Sequence, residues 1–289
     1  MEQLIMGVIA LTLAVVVRRK EAFAWRWQPT RHTWVAVGTG LLAFALSASL
    51  LLFEAGSVAA RLVHYGGIYV ACGCVIPWGY TLLVERNTPA AMGVKRERWA
   101  VSLALNLILA GLLLPIILFE GDLSALHWGP FSKAIVVLAG AGGLFELFLY
   151  YGFIHLRLER AFGTIPAILV TSALYVSWHT GTQLPLEPDL LVAVVKLFGV
   201  GIMYQSVFSL THNLLIIWPF FHGMGVMIDF AVNLGEVGRA SAGFAWAVGT
   251  LVVMALAGAL LARLAGRQEG QRGAWRSLDR NVGQQGMDP

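Results

Sequence analysis

The stretch Ala139–Arg160, AGAGGLFELFLYYGFIHLRLER, decides the class of this chain. From Ala139 to Ile154 its sole carboxylate is Glu146, and it closes on the basic pair Arg157 and Arg160. A run of this length and polarity fits a bilayer, whose hydrocarbon core takes about 17–25 helical residues. A charged side chain at that depth costs about 2.5–3.5 kcal/mol on insertion scales, so Glu146 needs a reason for being there.

The rest of the chain is of the same kind. Of 289 residues 58% are hydrophobic and 12% charged, with a mean hydropathy of +0.73, which excludes an ordinary soluble domain. Apolar runs lie near 2 to 17, 33 to 53, 65 to 84, 99 to 119, 133 to 155, 164 to 182, 190 to 209, 211 to 233 and 241 to 264. The first is short, so an all-α, polytopic transmembrane helix bundle of eight or nine spans is expected, forming a single unit over 1–265. The remainder, 266–289, is polar, rich in Gly and Gln, and without apolar period, and is expected to be a disordered basic cytoplasmic tail.

The net charge of +4 raises the question of nucleic acid. The cations answer it, since they cluster between apolar runs: Arg18, Arg19 and Lys20; Lys95, Arg96 and Arg98; Arg157 and Arg160; and Arg263, Arg267, Arg272, Arg276 and Arg280. Every second connection is basic, which places these on the cytoplasmic side, the amino terminus outside and the tail inside, with a plasma or inner membrane expected for a prokaryotic chain. The lipid bilayer is therefore the expected partner of these charges, and nucleic-acid binding is not expected. The apolar amino terminus carries its positive charge after the run, so it reads as a retained helix. Cys72 and Cys74, too close together for ordinary disulfide geometry, read as small packing residues.

With the loops set aside, the ionisable residues at depth are Glu146, His179, Lys196, His222 and Asp229. Glu146 lies nine residues or more from the basic edge, roughly 15 Å in at 1.5 Å per residue. Gly140, Gly142 and Gly143 just before it allow a neighbouring helix to approach closely, and Tyr150 one turn later is a hydrogen-bonding candidate. His222 is expected about 16 Å into the eighth run, level with Glu146, where Pro219 frees a carbonyl and Gly223 and Gly225 leave room. His179 ends the sixth run. Asp229 shares the His222 face but is nearer the external end, and Lys196 is placed to snorkel. His155 and His212, at cytoplasmic helix ends, read as interfacial.

One carboxyl and two imidazoles suit two chemistries. Glu146 can act as a general base on water, with His179 steadying that water and His222 stabilising the oxyanion, and with no cofactor. Alternatively Glu146, His179 and His222 bind zinc, which then activates the water, although the usual H-E-x-x-H signature is absent.

The runs ELFLYYGF from Glu146, YVSWH ending at His179 and NLLIIWPFFH ending at His222 resemble the three motifs of the CPBP family, the CAAX protease and bacteriocin-processing group of intramembrane proteases. The resemblance spans about 130–230, and AAMGVKRERW before the fourth run is similar to that family's lead-in. It implies an intramembrane endopeptidase acting on a membrane-associated peptide or protein, with Glu146, His179 and His222 as its catalytic set. Leu147 and Tyr151 stand where the family has a second Glu and an Arg before Gly152; Tyr175 stands for the Phe of the second motif, and Val226 for the Asn or Asp of the third. Tyr150, Tyr151 and Asp229 are the supporting candidates. The alternative is a non-catalytic membrane protein of the same fold, an immunity factor or assembly subunit.

Overall fold

The computed structural model describes residues 2–121, 128–186, 188–232 and 243–266, and no strand occurs among them. Nine principal helices follow one another among the described residues: α1 Glu2–Arg18, α2 Arg31–Leu52, α3 Val58–Val84, α4 Trp99–Glu120, α5 Gly129–Phe162, α6 Thr164–Trp178, α7 Leu190–Thr211, α8 Phe220–Val232 and α9 Gly243–Gly266. Each overlaps one of the nine apolar runs. Their lengths differ from the expectation of eight or nine spans. Six helices, α2, α3, α4, α5, α7 and α9, are long and apolar enough to cross a membrane, while α1, α6 and α8 have 17, 15 and 13 residues. At 1.5 Å per residue the last two reach about 20 Å, short of a core about 30 Å thick. The protein is an integral, multi-pass membrane helix bundle.

Local chemistry accounts for the helix ends that moved. Ser57 accepts the Ala60 N–H at 3.2 Å, so α3 starts at Val58, seven residues before the apolar run. Asp189 caps α7 by accepting from Leu191 and Val192. The run 211 to 233, expected as one span, is broken. His212 adopts a left-handed conformation with φ of +52°, Asn213 caps a short turn over Leu214–Ile216, and a helix resumes only at Phe220. Pro219 thus sits at a helix start rather than inside a helix, consistent with its missing N–H. His222 consequently lies in the first turn of α8, not eleven residues into a span.

The centre of the bundle is α5. In its most apolar window 61% of residues are buried, against 28% in α2 and α4 and 17% in α9, so the latter three present most of their surface outward. Phe145, Tyr150, Phe153 and Ile154 of α5 join Tyr65, Tyr69, Tyr175 and Trp178 in one core, and Leu147 and Tyr151 join Tyr204, Phe208 and Phe221 in another. Two cores on one helix leave it no lipid face over these residues. α1 packs along α7 where Gly7 meets Gly199; a Cβ on Gly7 would stand 2.5 Å from the Gly199 carbonyl oxygen.

Arg157, which the charge pattern assigns to a solvated cytoplasmic edge, is buried. Its guanidinium donates to both oxygens of Glu85 at 2.8 and 2.6 Å, to Thr81 Oγ1 at 2.7 Å and to the Phe153 carbonyl at 3.0 Å. A bidentate partner is what a buried guanidinium requires. Asn213 joins the lead-in loop to the α7–α8 turn, donating to the carbonyls of Lys95 and Glu97 at 3.0 and 3.1 Å. Cys72 and Cys74 are free and buried, as packing residues. The tail from 267 onward lies outside the described residues, as does the side chain of Asp229.

Candidate active site

Glu146 and His222 meet. Glu146 is 7% exposed on central α5, His222 is 8% exposed in the first turn of α8, and His222 Nε2 lies 3.4 Å from Glu146 Oε2. The two were expected at one level in the membrane, and the small residues before Glu146 indicate why they touch. The His222 ring rests on Gly143, one turn from Glu146, where a Cβ would come 2.9 Å from Cε1 and 3.1 Å from Nδ1. Gly142 and Gly140 are likewise approached, by Tyr69 and Leu251.

The start of α8 is held onto the bundle by hydrogen bonds that the motif does not contain. Asn106 of α4, fully buried, accepts the Phe221 N–H at 2.6 Å and donates to the Leu215 carbonyl at 2.6 Å. It thereby clamps both sides of the Pro219 break. The Trp218 indole N–H donates to the Ala139 carbonyl at 3.2 Å, and the His222 N–H to Ile217 at 2.9 Å. With its backbone fixed at these points, the imidazole is presented to α5 in a set position.

His179 opens the turn that ends α6, and it is 3% exposed. The turn is pinned by Ser47 of α2, which donates to the Trp178 carbonyl and accepts the Gly181 N–H at 3.0 Å. Its ring packs on Trp178 and Tyr175, with centroids 4.2 and 4.9 Å away. Those rings touch Phe145 at 5.1 Å and Tyr150 at 5.7 Å, the side chains flanking Glu146 on α5. His179 therefore reaches the Glu146 helix through an aromatic layer, and no hydrogen bond joins it to Glu146 or His222.

Buried polar atoms without a hydrogen-bond partner among the described residues collect around this region. They include Nδ1 and Nε2 of His179, Nδ1 of His222, and the hydroxyls of Tyr150 and Tyr151. Most buried polar atoms in folded proteins are paired, so such a concentration points to a site that receives something polar. Tyr150 does not hydrogen-bond Glu146, contrary to the candidate role read from the sequence. Val226, one turn beyond His222 and 6% exposed, brings no donor. Tyr204 of α7 packs beside the site, its ring 6.0 Å from that of His222 and 6.3 Å from that of Tyr151.

Zinc coordination by Glu146, His179 and His222 needs all three ligand atoms gathered, and the structure brings two of them into contact. Among the described residues, the threesome of His, Cys, Asp or Glu side chains whose ligand atoms lie within 4.8 Å of one another is instead His155, Glu159 and His212. Asn106, Gly143 and Tyr204 were not singled out from the sequence. An Asn in an otherwise apolar span was the available signal for the first; nothing in the sequence marks Tyr204.

A family model described as type II CAAX prenyl endopeptidase Rce1-like matches residues 128–227, about a third of the chain, running from the start of α5 to the middle of α8. No curated protein and no solved structure matches the chain.

Proposed function

We propose that this chain, whose residues 128–227 match the type II CAAX prenyl endopeptidase family model, is an intramembrane endopeptidase that cleaves a peptide bond of a membrane-associated substrate by glutamate-activated water. The observation that carries the proposal is the buried contact between Glu146 and His222 inside the matched segment. Glu146 Oε2 takes a proton from water as the oxygen attacks the peptide carbonyl, and His222 Nε2, on the same carboxylate oxygen, orients that water. His179, whose ring nitrogens have no other partner, donates to the oxyanion. The contact favours exchanging the two histidine roles expected from sequence, because His222 rather than His179 adjoins the base. The proton held on Glu146 then passes to the leaving amine, and the carboxylate is restored.

The family description supports one substrate class, a peptide ending in a prenylated CAAX motif, presented from the lipid. The basic clusters of α1, the lead-in loop and α5 meet at one end of the bundle, where Arg18, Arg26, Lys95 and Arg160 line a common cavity. This supports an amino terminus outside and a cytoplasmic tail. Cleavage of an internally quenched farnesylated CAAX peptide in proteoliposomes tests the reading. Wild type is expected to cleave it and Glu146→Gln to lose at least about 10²-fold in rate; full activity of Glu146→Gln refutes the mechanism, and an inert wild type refutes the substrate class. A non-catalytic role of the same fold draws on Val226, which stands where the resemblance implies an Asn or Asp and brings no polar group. A scaffold of that kind tolerates His222→Ala in complementation, and a protease does not.

A further inference from the structure

A second constellation lies at the end of the bundle where α1, α5 and α7 finish. His155 and Glu159 are four residues apart on α5 and so share a face, and His212 follows the last turn of α7. Glu159 Oε2 is 2.6 Å from His212 Nε2 and 3.6 Å from His155 Nε2. Its other oxygen is occupied elsewhere: Oε1 accepts from Thr164 Oγ1 at 2.7 Å and from Arg18 Nη1. One carboxylate oxygen is thus anchored by the protein, while the second stands between two imidazoles.

An ion-pair network alone does not account for this arrangement. Arg18, Glu159, Thr164 and His212 satisfy one another, but His155 is fully buried, and it pairs with the Glu159 oxygen shared with His212 at 3.6 Å, too far for a hydrogen bond to either ring nitrogen. A buried imidazole without a hydrogen bond costs about 1–3 kcal/mol. Two imidazole nitrogens and one carboxylate oxygen are a common zinc donor set, and ligands at about 2.0–2.2 Å from a tetrahedral metal stand roughly 3.4 Å apart. The observed separations of 2.6 and 3.6 Å bracket that spacing. Thr164 and Arg18 on Oε1 play the part of outer groups that orient a ligating carboxylate. A cavity of about 230 Å³, lined by Glu159 and His212 together with the cations Arg18, Arg26, Lys95 and Arg160, leaves room for entry and for a fourth, water ligand, against the repulsion of those charges.

We propose that His155, Glu159 and His212 form a zinc site that ties α5 to α7 at this end of the bundle, separate from Glu146 and His222. Arg18 is the competing cation, its Nη1 lying 3.0 Å from His212 Nε2, and it has to yield that position when the metal binds. The site therefore has a signature that a generic surface histidine pair lacks: removing a positive charge nearby strengthens it.

The test uses the full chain in detergent, stripped of metal and titrated with zinc by calorimetry and with cobalt by visible absorption. Wild type is expected to take up one ion per chain and to give the intense visible bands of tetrahedral cobalt. His155→Ala and His212→Ala each weaken binding at least about 100-fold, and Arg18→Gln tightens it about tenfold. Glu146→Gln and His222→Ala leave the stoichiometry unchanged. Loss of zinc in His222→Ala, retention in the His155→Ala, His212→Ala double variant, or a wild type that binds no zinc overturns the proposal. Should His212→Ala fail to fold, the cobalt spectrum of wild type and the Arg18→Gln affinity still decide. None of these readouts involves peptide cleavage, so the zinc site and the protease reading fail independently.

Discussion

Gly143→Ala perturbs the site without touching an ionisable group. The added methyl would stand 2.9 Å from His222 Cε1 and 3.1 Å from Nδ1. Restoring ordinary carbon contact moves the ring outward by about 0.6 Å. Because Gly143 and Glu146 lie on the same helix one turn apart, that displacement carries the imidazole away from the carboxylate as well. The Nε2–Oε2 separation, 3.4 Å at rest, then passes the range in which a hydrogen bond persists. His222 cannot follow by a backbone shift, since Asn106 and the Trp218 indole hold the α8 start on both sides. A misplacement approaching 1 Å costs about 10²-fold, so kcat/KM is expected to fall about 10–100-fold, or roughly 1.4–2.7 kcal/mol of transition-state stabilisation. The assay is the quenched-peptide cleavage in proteoliposomes, run beside thermal unfolding. Gly111→Ala, where the new methyl meets nothing within 4 Å, is the control and should keep its rate. Undiminished cleavage by Gly143→Ala would refute the claim that His222 works through its contact with Glu146; so would an equal loss in Gly111→Ala.

Other expectations follow from the same geometry. Asn106→Ala unpairs one N–H and one carbonyl at the α8 start, costing about 1–3 kcal/mol in thermal unfolding and lowering cleavage more than Asn106→Asp, which keeps the acceptor for Phe221. Arg157→Ala removes the bidentate partner of Glu85, leaving its buried carboxylate only the longer contacts to His32 and Asn87 at 3.5 Å, and is expected to destabilise by about 3–5 kcal/mol, with the Arg157→Met, Glu85→Leu double variant recovering most of it. Val226→Asn supplies a polar group one turn from His222, on the side of the attacking water, and should raise kcat about tenfold; an unchanged rate excludes a role for that position. A tight chelator should lower the unfolding temperature through the His155, Glu159 and His212 site by about 2–4 °C per kcal/mol lost, while leaving the initial cleavage rate at 25 °C intact.

The membrane class and the places of all nine helices were legible in the sequence, because apolar runs bounded by cations are a local signal that no tertiary contact is needed to generate. Glu146, His179 and His222 could also be named there as ionisable groups at depth, and the resemblance picks out the same three. What the sequence could not supply was which of them touch. Depth read from residue counts put His222 and Glu146 at one level, yet it did so through a continuous eighth span that the structure breaks at His212 and Pro219. The contact arises from a helix start pinned by Asn106, which lies more than a hundred residues earlier in the chain. The same limit explains the cluster at the bundle end. His155 and His212, taken one at a time, have the ordinary look of interfacial histidines, and only the packing of α5 against α7 sets them around a single carboxylate oxygen. Periodicity and charge determine what crosses the membrane; the pairing of side chains across it is a long-range property of the packed bundle.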